Sequence, residues 1–124
     1  MGKTLAILIE VNVSGEESKY GFAPEPRDTF FAATNEIIAL PNLNLNGLMT
    51  VAPIAPSADD ARPRATFRAL RQLRDELCQK TGRALPHLSM GMTDDFETAI
   101  AEGATILRVG RAIFGERKSL GENK

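Results

Sequence analysis

The stretch that decides the fold is His87-Leu88-Ser89-Met90-Gly91-Met92-Thr93-Asp94-Asp95, together with Arg108-Val109-Gly110-Arg111-Ala112-Ile113-Phe114-Gly115. Each of the two segments has the pattern of a short apolar strand, then a polar or glycine-containing turn, then the start of a helix. The first turn of a helix has unpaired N–H groups and the positive end of the helix dipole, so two neighbouring turns of this kind favour an anion. The pair of segments therefore predicts a phosphate cup.

Outward from these segments, apolar runs alternate with helical patterns along the whole chain. Strands are predicted at residues 5–13, 45–51, 88–90 and 105–109. Helices are predicted after Pro26, from about Pro63 to Gly82, from about Asp94 to Gly103 with Phe96 and Ile100 on the buried face, and after Gly110. Such alternation favours parallel strands joined by helical crossovers, which is the α/β class.

Two architectures fit this alternation, an open doubly wound sheet and a piece of a (β/α)8 barrel. No Gly-x-Gly-x-x-Gly follows the first strand, so a dinucleotide site of the Rossmann type has no support. A phosphate cup after the last two strands matches the barrel rule, in which the phosphate site follows strands seven and eight. The pattern therefore favours four βα units that correspond to the second half of a TIM-type (β/α)8 barrel, with residues 1–124 as one unit.

Composition and charge exclude several classes of function. The 124 residues carry 43% hydrophobic side chains and a formal net charge of −1, which suits one globular domain and argues against a nucleic-acid binder. The arginines of the long helix have acidic neighbours, so they are expected to form a solvated face: Arg62, Arg64, Arg68, Arg71 and Arg74. A single cysteine, Cys78, and the lack of a signal peptide or membrane-length apolar run predict a soluble, cytoplasmic protein with no membrane partner.

Four motifs together resemble a known family. The segments 10–22, 47–50, 88–96 and 108–115 are similar, in order and spacing, to the fifth to eighth strands of the pyridoxal phosphate homeostasis proteins, which have the fold type of the alanine racemase N-terminal barrel. The resemblance implies that residues 1–124 are the C-terminal half of such a barrel. It also implies that the lysine that binds pyridoxal 5′-phosphate covalently belongs to a first half that this sequence lacks.

The resemblance assigns the phosphate and ring contacts of that cofactor. It places Ser89, Gly110 and the backbone amide of Arg111 at the phosphate, where glycine permits close backbone approach. It places Arg108 at the pyridine nitrogen, to which a permanently protonated guanidinium can only donate.

Further residues of the predicted cofactor site are Asn12 and Met49, near the carboxyl ends of their strands, and Met90 beside Ser89. Barrel packing explains Met49 and Met90 equally well. Lys19, in the loop after the first strand, offers an amine that either exchanges with the bound cofactor or is solvated.

The expected function is that of a pyridoxal 5′-phosphate-binding protein of intracellular cofactor homeostasis, here a fragment that keeps the phosphate cup, and not an enzyme. The alternatives are a fragment of an amino-acid racemase using the same cofactor and a barrel fragment that binds nothing. The racemase is disfavoured because it needs a tyrosine from a further domain, whereas this sequence holds only Tyr20. A half-barrel leaves open strand edges, so self-association is also expected.

Overall fold

Strands and helices alternate throughout the part of the chain that the computed structural model describes, residues 4–14, 21–53, 59–92 and 95–108. The elements in chain order are β1 (Leu5–Glu10), α1 (Arg27–Ile38), β2 (Leu43–Met49), α2 (Arg62–Thr81), β3 (His87–Met92), α3 (Phe96–Ala101) and β4 (Ile106–Arg108). The predicted alternation is confirmed over these residues. The helix predicted after Gly110 lies outside them.

The four strands form one parallel sheet in the order β1-β2-β3-β4. Each crossover thus moves one strand further in the same direction, and right-handed crossovers of this kind place their helices on the same face of the sheet. A doubly wound sheet would instead reverse direction at a switch point. The order therefore confirms the α/β prediction and distinguishes the barrel from the open sheet: the strands form an arc of a (β/α)8 barrel.

The hydrophobic core lies between the sheet and the helices. Ile9, Leu48 and Leu88 are register partners on β1, β2 and β3, and all three are buried. The sides of α1 and α2 that face the sheet pack on this row. Their buried residues are Phe30, Phe31, Phe67, Leu70, Leu73 and Leu77. We call this side of the sheet the helix face and the opposite side the inner face.

The boundaries of α2 follow local rules that the sequence carries. Pro63 lies in the first turn, where its missing N–H leaves no intrahelical bond unmade. Gly82 ends the helix with a φ of 72°, and its N–H donates to the carbonyl of Cys78 at 2.9 Å. Glycine adopts this left-handed conformation at no steric cost, so the predicted start and stop of α2 are both confirmed.

The predicted buried face of α3 is partly wrong. Ile100 is 53% exposed and Phe96 is only half-buried, whereas Ala99 is completely buried. The reason is the close approach of α3 to β3, because a Cβ added at Gly91 would lie 2.7 Å from the Cβ of Ala99. Only a small side chain fits at that contact.

One buried carboxylate connects α2 to the end of α3. Glu102 is 3% exposed and accepts from Arg64 Nη1 at 2.6 Å and Arg68 Nη2 at 3.0 Å, while Arg71 Nη2 lies 3.4 Å away. The hydrogen bond from Arg68 is the main cause that lowers the pKa of the Glu102 carboxyl, and burial opposes it. These arginines are therefore held by a carboxylate that the sequence analysis did not include among their neighbours.

A single extra residue interrupts the pairing of β1 with β2. Ile7 pairs with Leu45 and Leu8 pairs with Gly47, so Asn46 has no partner on β1. This is the geometry of a β-bulge, in which two residues of one strand oppose one residue of the other. Leu45 and Leu48, three positions apart, consequently both belong to the buried core.

Candidate functional site

A row of register partners crosses the inner face of the sheet near the carboxyl ends of the strands. Glu10 pairs with Met49, Met49 with Ser89, and Ser89 with Ile106. The adjacent row begins at Ile9 and is buried on the helix face. Because successive side chains of a strand point to opposite faces, the row of Met49 and Ser89 faces away from the helices. The structure thus brings two of the predicted site residues together as neighbours.

Thr50 joins the carboxyl ends of three strands. Its N–H donates to the carbonyl of Ser89 at 3.1 Å, and its hydroxyl donates to the carbonyl of Val11 at 2.7 Å. The N–H of Val11 in turn donates to the carbonyl of Met49 at 2.8 Å. Thr50 is only 1% exposed, so these bonds are shielded from water. The sequence analysis assigned Thr50 no role, although a polar residue directly after a strand was the available signal.

Ser89 combines near-complete burial with an unused hydroxyl. The residue is 5% exposed, and its hydroxyl has no hydrogen-bond partner among the residues that the structure describes. Among the described residues, Arg83 Nε is the only fully buried side-chain nitrogen or oxygen atom without a partner, so the Ser89 hydroxyl keeps access to solvent or to a ligand. The hydroxyl therefore has free capacity to donate to an anion at this end of the sheet.

Asn12 lies just beyond β1, on the same edge of the sheet. Its side-chain oxygen accepts from the Ser14 hydroxyl at 3.1 Å, and its N–H donates to the carbonyl of Phe22 at 2.9 Å. Asn12 follows Glu10 by two positions, which places it at the carboxyl end of the arc as the sequence predicted. These contacts fix the residue while leaving its side chain half-buried.

Met90 has a different position from its neighbour Ser89. It is completely buried and belongs to the core on the helix face. Its side chain is therefore separated by the sheet from the row of Met49 and Ser89, and packing explains it. Only the backbone of Met90 remains as a candidate contact for a ligand on the inner face.

The remaining residues predicted to contact the cofactor lie at the end of β4, after β4, or in the loop after β1. Arg108 is the last residue of β4, and its Cα pairs with Met92. Its backbone is thus at the carboxyl edge, two positions beyond Ile106. Gly110, Arg111 and Lys19 lie outside the described residues.

The amino ends of the strands carry a different arrangement. His87 opens β3, away from the carboxyl edge, and its Nδ1 lies 3.1 Å from the hydroxyl of Thr105. Within the described ranges, no three histidine, cysteine, aspartate or glutamate residues are grouped as metal ligands would be. None of the helices there combines the length and the apolar character that crossing a membrane requires.

Parallel strands in consecutive order, joined by helices, with polar groups at the carboxyl edge are the arrangement of successive βα units in a (β/α)8 barrel. The chain matches the family model described as alanine racemase, N-terminal domain, over residues 1–118, and it belongs to that family. The predicted resemblance is confirmed.

Curated and solved relatives agree with this membership. A pyridoxal phosphate homeostasis protein from Aquifex aeolicus is 55% identical over 112 residues, which are 90% of this chain and 47% of the relative. The structure of PipY from Synechococcus elongatus PCC7942 with pyridoxal phosphate bound has a TM-score of 0.73 at 31% identity, over 87% of this chain and 48% of PipY. The chain therefore spans about half the length of these relatives.

A more distant structure supports the fold alone. The alanine racemase from Corynebacterium glutamicum has a TM-score of 0.67 at 21% identity, with 92% of this chain and 30% of the racemase covered. The racemase and PipY thus share the arc of strands and helices with this chain.

Proposed function

We propose that this chain supplies the phosphate-binding half of a pyridoxal 5′-phosphate site in a protein of cofactor homeostasis. The observation that carries the proposal is the Ser89 hydroxyl, which belongs to a residue only 5% exposed, lacks a partner among the described residues and lies on the inner face of the sheet. The relatives support the choice of ligand, since one is named a pyridoxal phosphate homeostasis protein and another was solved with pyridoxal phosphate bound.

The residues present fit a phosphate. Ser89 would donate its hydroxyl hydrogen to a phosphate oxygen, and the backbone amides at Gly110 and Arg111 would donate to the others. Charge-assisted bonds of this kind are about twice as strong as neutral ones. Met49, the register partner of Ser89, would line the ring, and Arg108 would donate to the pyridine nitrogen.

The proposed role is binding without turnover. When bound, pyridoxal phosphate supplies an aldehyde that reacts with amines and a ring that withdraws electrons. An arginine at the ring nitrogen can only donate a hydrogen bond, so Arg108 would keep that nitrogen unprotonated and weaken the withdrawal. Asn12, fixed by Ser14 and Phe22, would border the same pocket. This set holds and orients the cofactor, as a carrier requires.

The test compares two ligands that differ only in phosphate. We expect the chain to bind pyridoxal phosphate more tightly than pyridoxal, with dissociation constants measured by calorimetry. Ser89→Ala should weaken pyridoxal phosphate binding about 10- to 150-fold, the equivalent of a hydrogen bond to a charged group worth about 1.5–3 kcal/mol. Pyridoxal binding should not change.

Thr29→Ala is the matched control, since it removes a hydroxyl from an exposed position on α1. It should leave both dissociation constants unchanged. Equal weakening of both ligands by Ser89→Ala, or no saturable binding of pyridoxal phosphate by the unaltered chain, would refute the proposal.

A further inference from the structure

The hydroxyl of Thr50 binds a carbonyl at the point where the pairing of β1 with β2 ends. The last register pair of these strands is Glu10 with Met49. One residue further along, the Val11 carbonyl accepts from the Thr50 hydroxyl at 2.7 Å. A side chain thus donates to a carbonyl that a continued parallel ladder would bind with a backbone N–H. Thr50 is only 1% exposed, so water does not compete for this bond.

The peptide unit that contains this carbonyl is also held from its other side. The Val11 carbonyl and the Asn12 N–H belong to the same planar unit, and the N–H donates to the Phe22 carbonyl at 2.9 Å. Two bonds on opposite sides, one from Thr50 and one to Phe22, therefore fix the rotation of this plane. The orientation of the plane sets the direction in which the chain continues at Asn12.

Asn12 is the residue of the candidate site whose position depends on this plane. The bond from the Val11 N–H to the Met49 carbonyl holds the preceding peptide unit and leaves the plane before Asn12 undetermined. The Ser14 hydroxyl donates to the Asn12 side chain at 3.1 Å, but both residues belong to the same short segment after β1. The hydroxyl of Thr50 is therefore the contact with β2 that orients Asn12 relative to the sheet.

We propose that Thr50 is a positioning residue of the cofactor site and acts through the peptide unit between Val11 and Asn12. This inference rests on the proposed function, in which Asn12 borders the pocket of the pyridoxal ring. Thr50 itself does not touch the cofactor, because it is 1% exposed and its hydroxyl donates to the Val11 carbonyl. Without that hydroxyl the plane can rotate, and Asn12 moves away from the ring.

The two sides of the site should respond differently to substitution. The bond from Thr50 to the Ser89 carbonyl uses the backbone N–H of Thr50, so replacing the Thr50 side chain leaves that bond in place. Loss of the Thr50 hydroxyl therefore affects the ring side, which pyridoxal phosphate and pyridoxal share. Both dissociation constants should rise by the same factor, and their ratio should stay constant. Loss of the Ser89 hydroxyl, in contrast, should change that ratio.

The experiment measures both dissociation constants by calorimetry, on variants whose fold is verified by circular dichroism. Thr50→Val should weaken both ligands about 2- to 10-fold, as expected for one neutral hydrogen bond. Thr50→Ser keeps the hydroxyl and should restore the affinity of the unaltered chain. Thr50→Ala also removes the hydroxyl, without placing a methyl group against the Val11 carbonyl, and it is measured in place of Thr50→Val if that variant does not fold.

Thr34→Val is the matched control for a general loss of stability. Thr34 is as buried as Thr50, and its hydroxyl donates to the Phe30 carbonyl at 2.8 Å within α1. The substitution removes a comparable buried hydrogen bond, but at a position outside the candidate site. Thr34→Val should therefore be destabilised and yet bind both ligands like the unaltered chain.

A double-mutant cycle with Asn12→Ala identifies the route of the effect. If Thr50 acts through Asn12, Thr50→Val should not weaken binding further in the Asn12→Ala background. Unchanged affinity of Thr50→Val, a changed ratio of the two constants, no recovery in Thr50→Ser, an equal loss in Thr34→Val, or additive effects would each overturn the inference. In those cases the proposed function stands if Ser89→Ala still weakens pyridoxal phosphate alone, whereas no binding by the unaltered chain would overturn both.

Discussion

Replacing Gly47 by alanine should force β2 away from β3. A Cβ built at Gly47 would lie 1.9 Å from the carbonyl oxygen of His87, whereas ordinary contact begins at 3.4 Å. The obstacle is backbone, so no side-chain rotation relieves it. The two strands must therefore separate by roughly 1.5 Å, the difference between these distances, or the pairing must fail.

The expected cost follows from the short pairing of these strands. Their register consists of Gly47 with His87, Leu48 with Leu88, and Met49 with Ser89. Hydrogen bonds normally have N···O distances of about 2.9 Å, so a widening of about 1.5 Å breaks those near the substitution. Loss of about two such bonds, with their groups left buried, should lower the free energy of unfolding by about 2–5 kcal/mol.

Urea unfolding at a fixed protein concentration measures this cost, and hydrogen exchange locates it. The amide of Thr50, which donates to the Ser89 carbonyl across the two strands, should lose protection in Gly47→Ala. Gly82→Ala is the control, since its Cβ would meet nothing within 4 Å and only the φ of 72° is strained, at about 1–2 kcal/mol. Equal destabilisation by the two variants, with the Thr50 amide still protected, would refute the steric argument.

Two further predictions concern stability. The pKa of Glu102 is lowered chiefly by its hydrogen bond from Arg68, so the ionised Glu102 stabilises the folded chain. This contribution to the free energy of unfolding is present above the ordinary carboxyl pKa near 4.5 and is lost as pH falls through the lower folded-state pKa. Urea midpoints measured from pH 6 to pH 3 should therefore fall less in Glu102→Gln than in the unaltered chain, and parallel curves would contradict this. Thr50→Val removes the donor to the Val11 carbonyl and should lower the free energy of unfolding, measured in urea, by about 1–3 kcal/mol, whereas Thr50→Ser keeps the donor and should lower it less. Equal free energies of unfolding for Thr50→Val and the unaltered chain would count against the role given to the hydroxyl.

Local signals in the sequence predicted most of the fold. Pro63 and Gly82 mark the start and the end of α2 because of their own backbone properties. Short runs of branched apolar residues predicted the strands. The buried face of α3 was not predictable in the same way, because the proximity of Gly91 selects Ala99 and leaves Ile100 exposed. That selection depends on the distance between two elements, which helical periodicity does not contain.

The candidate site was predictable to a similar extent. Strand alternation alone would have separated Met90 from Ser89, since neighbours on a strand face opposite ways. That Ser89 is the neighbour of Met49 across the sheet follows only from the strand register, which the sequence does not give. In the same way, the bond from Arg64 to Glu102 could not be predicted, because it joins residues 38 positions apart. The cytoplasmic location stays a prediction, as do the cofactor contacts of Asn12, Met49, Ser89, Met90, Arg108, Gly110 and Arg111.

The unpaired Asn46 determines which side chains of β2 lie on the inner face of the sheet. Simple alternation from Leu45 would direct residue 49 toward the helices, but one additional residue exchanges the two sides of everything that follows in β2. Met49 owes its place beside Ser89 to that exchange. The bulge thus reverses the alternation of side chains along β2. Before Asn46 the odd-numbered residues face the helices, and after it the even-numbered residues do. Deleting a single residue there would exchange the side chains that meet the helices with those that meet the barrel interior.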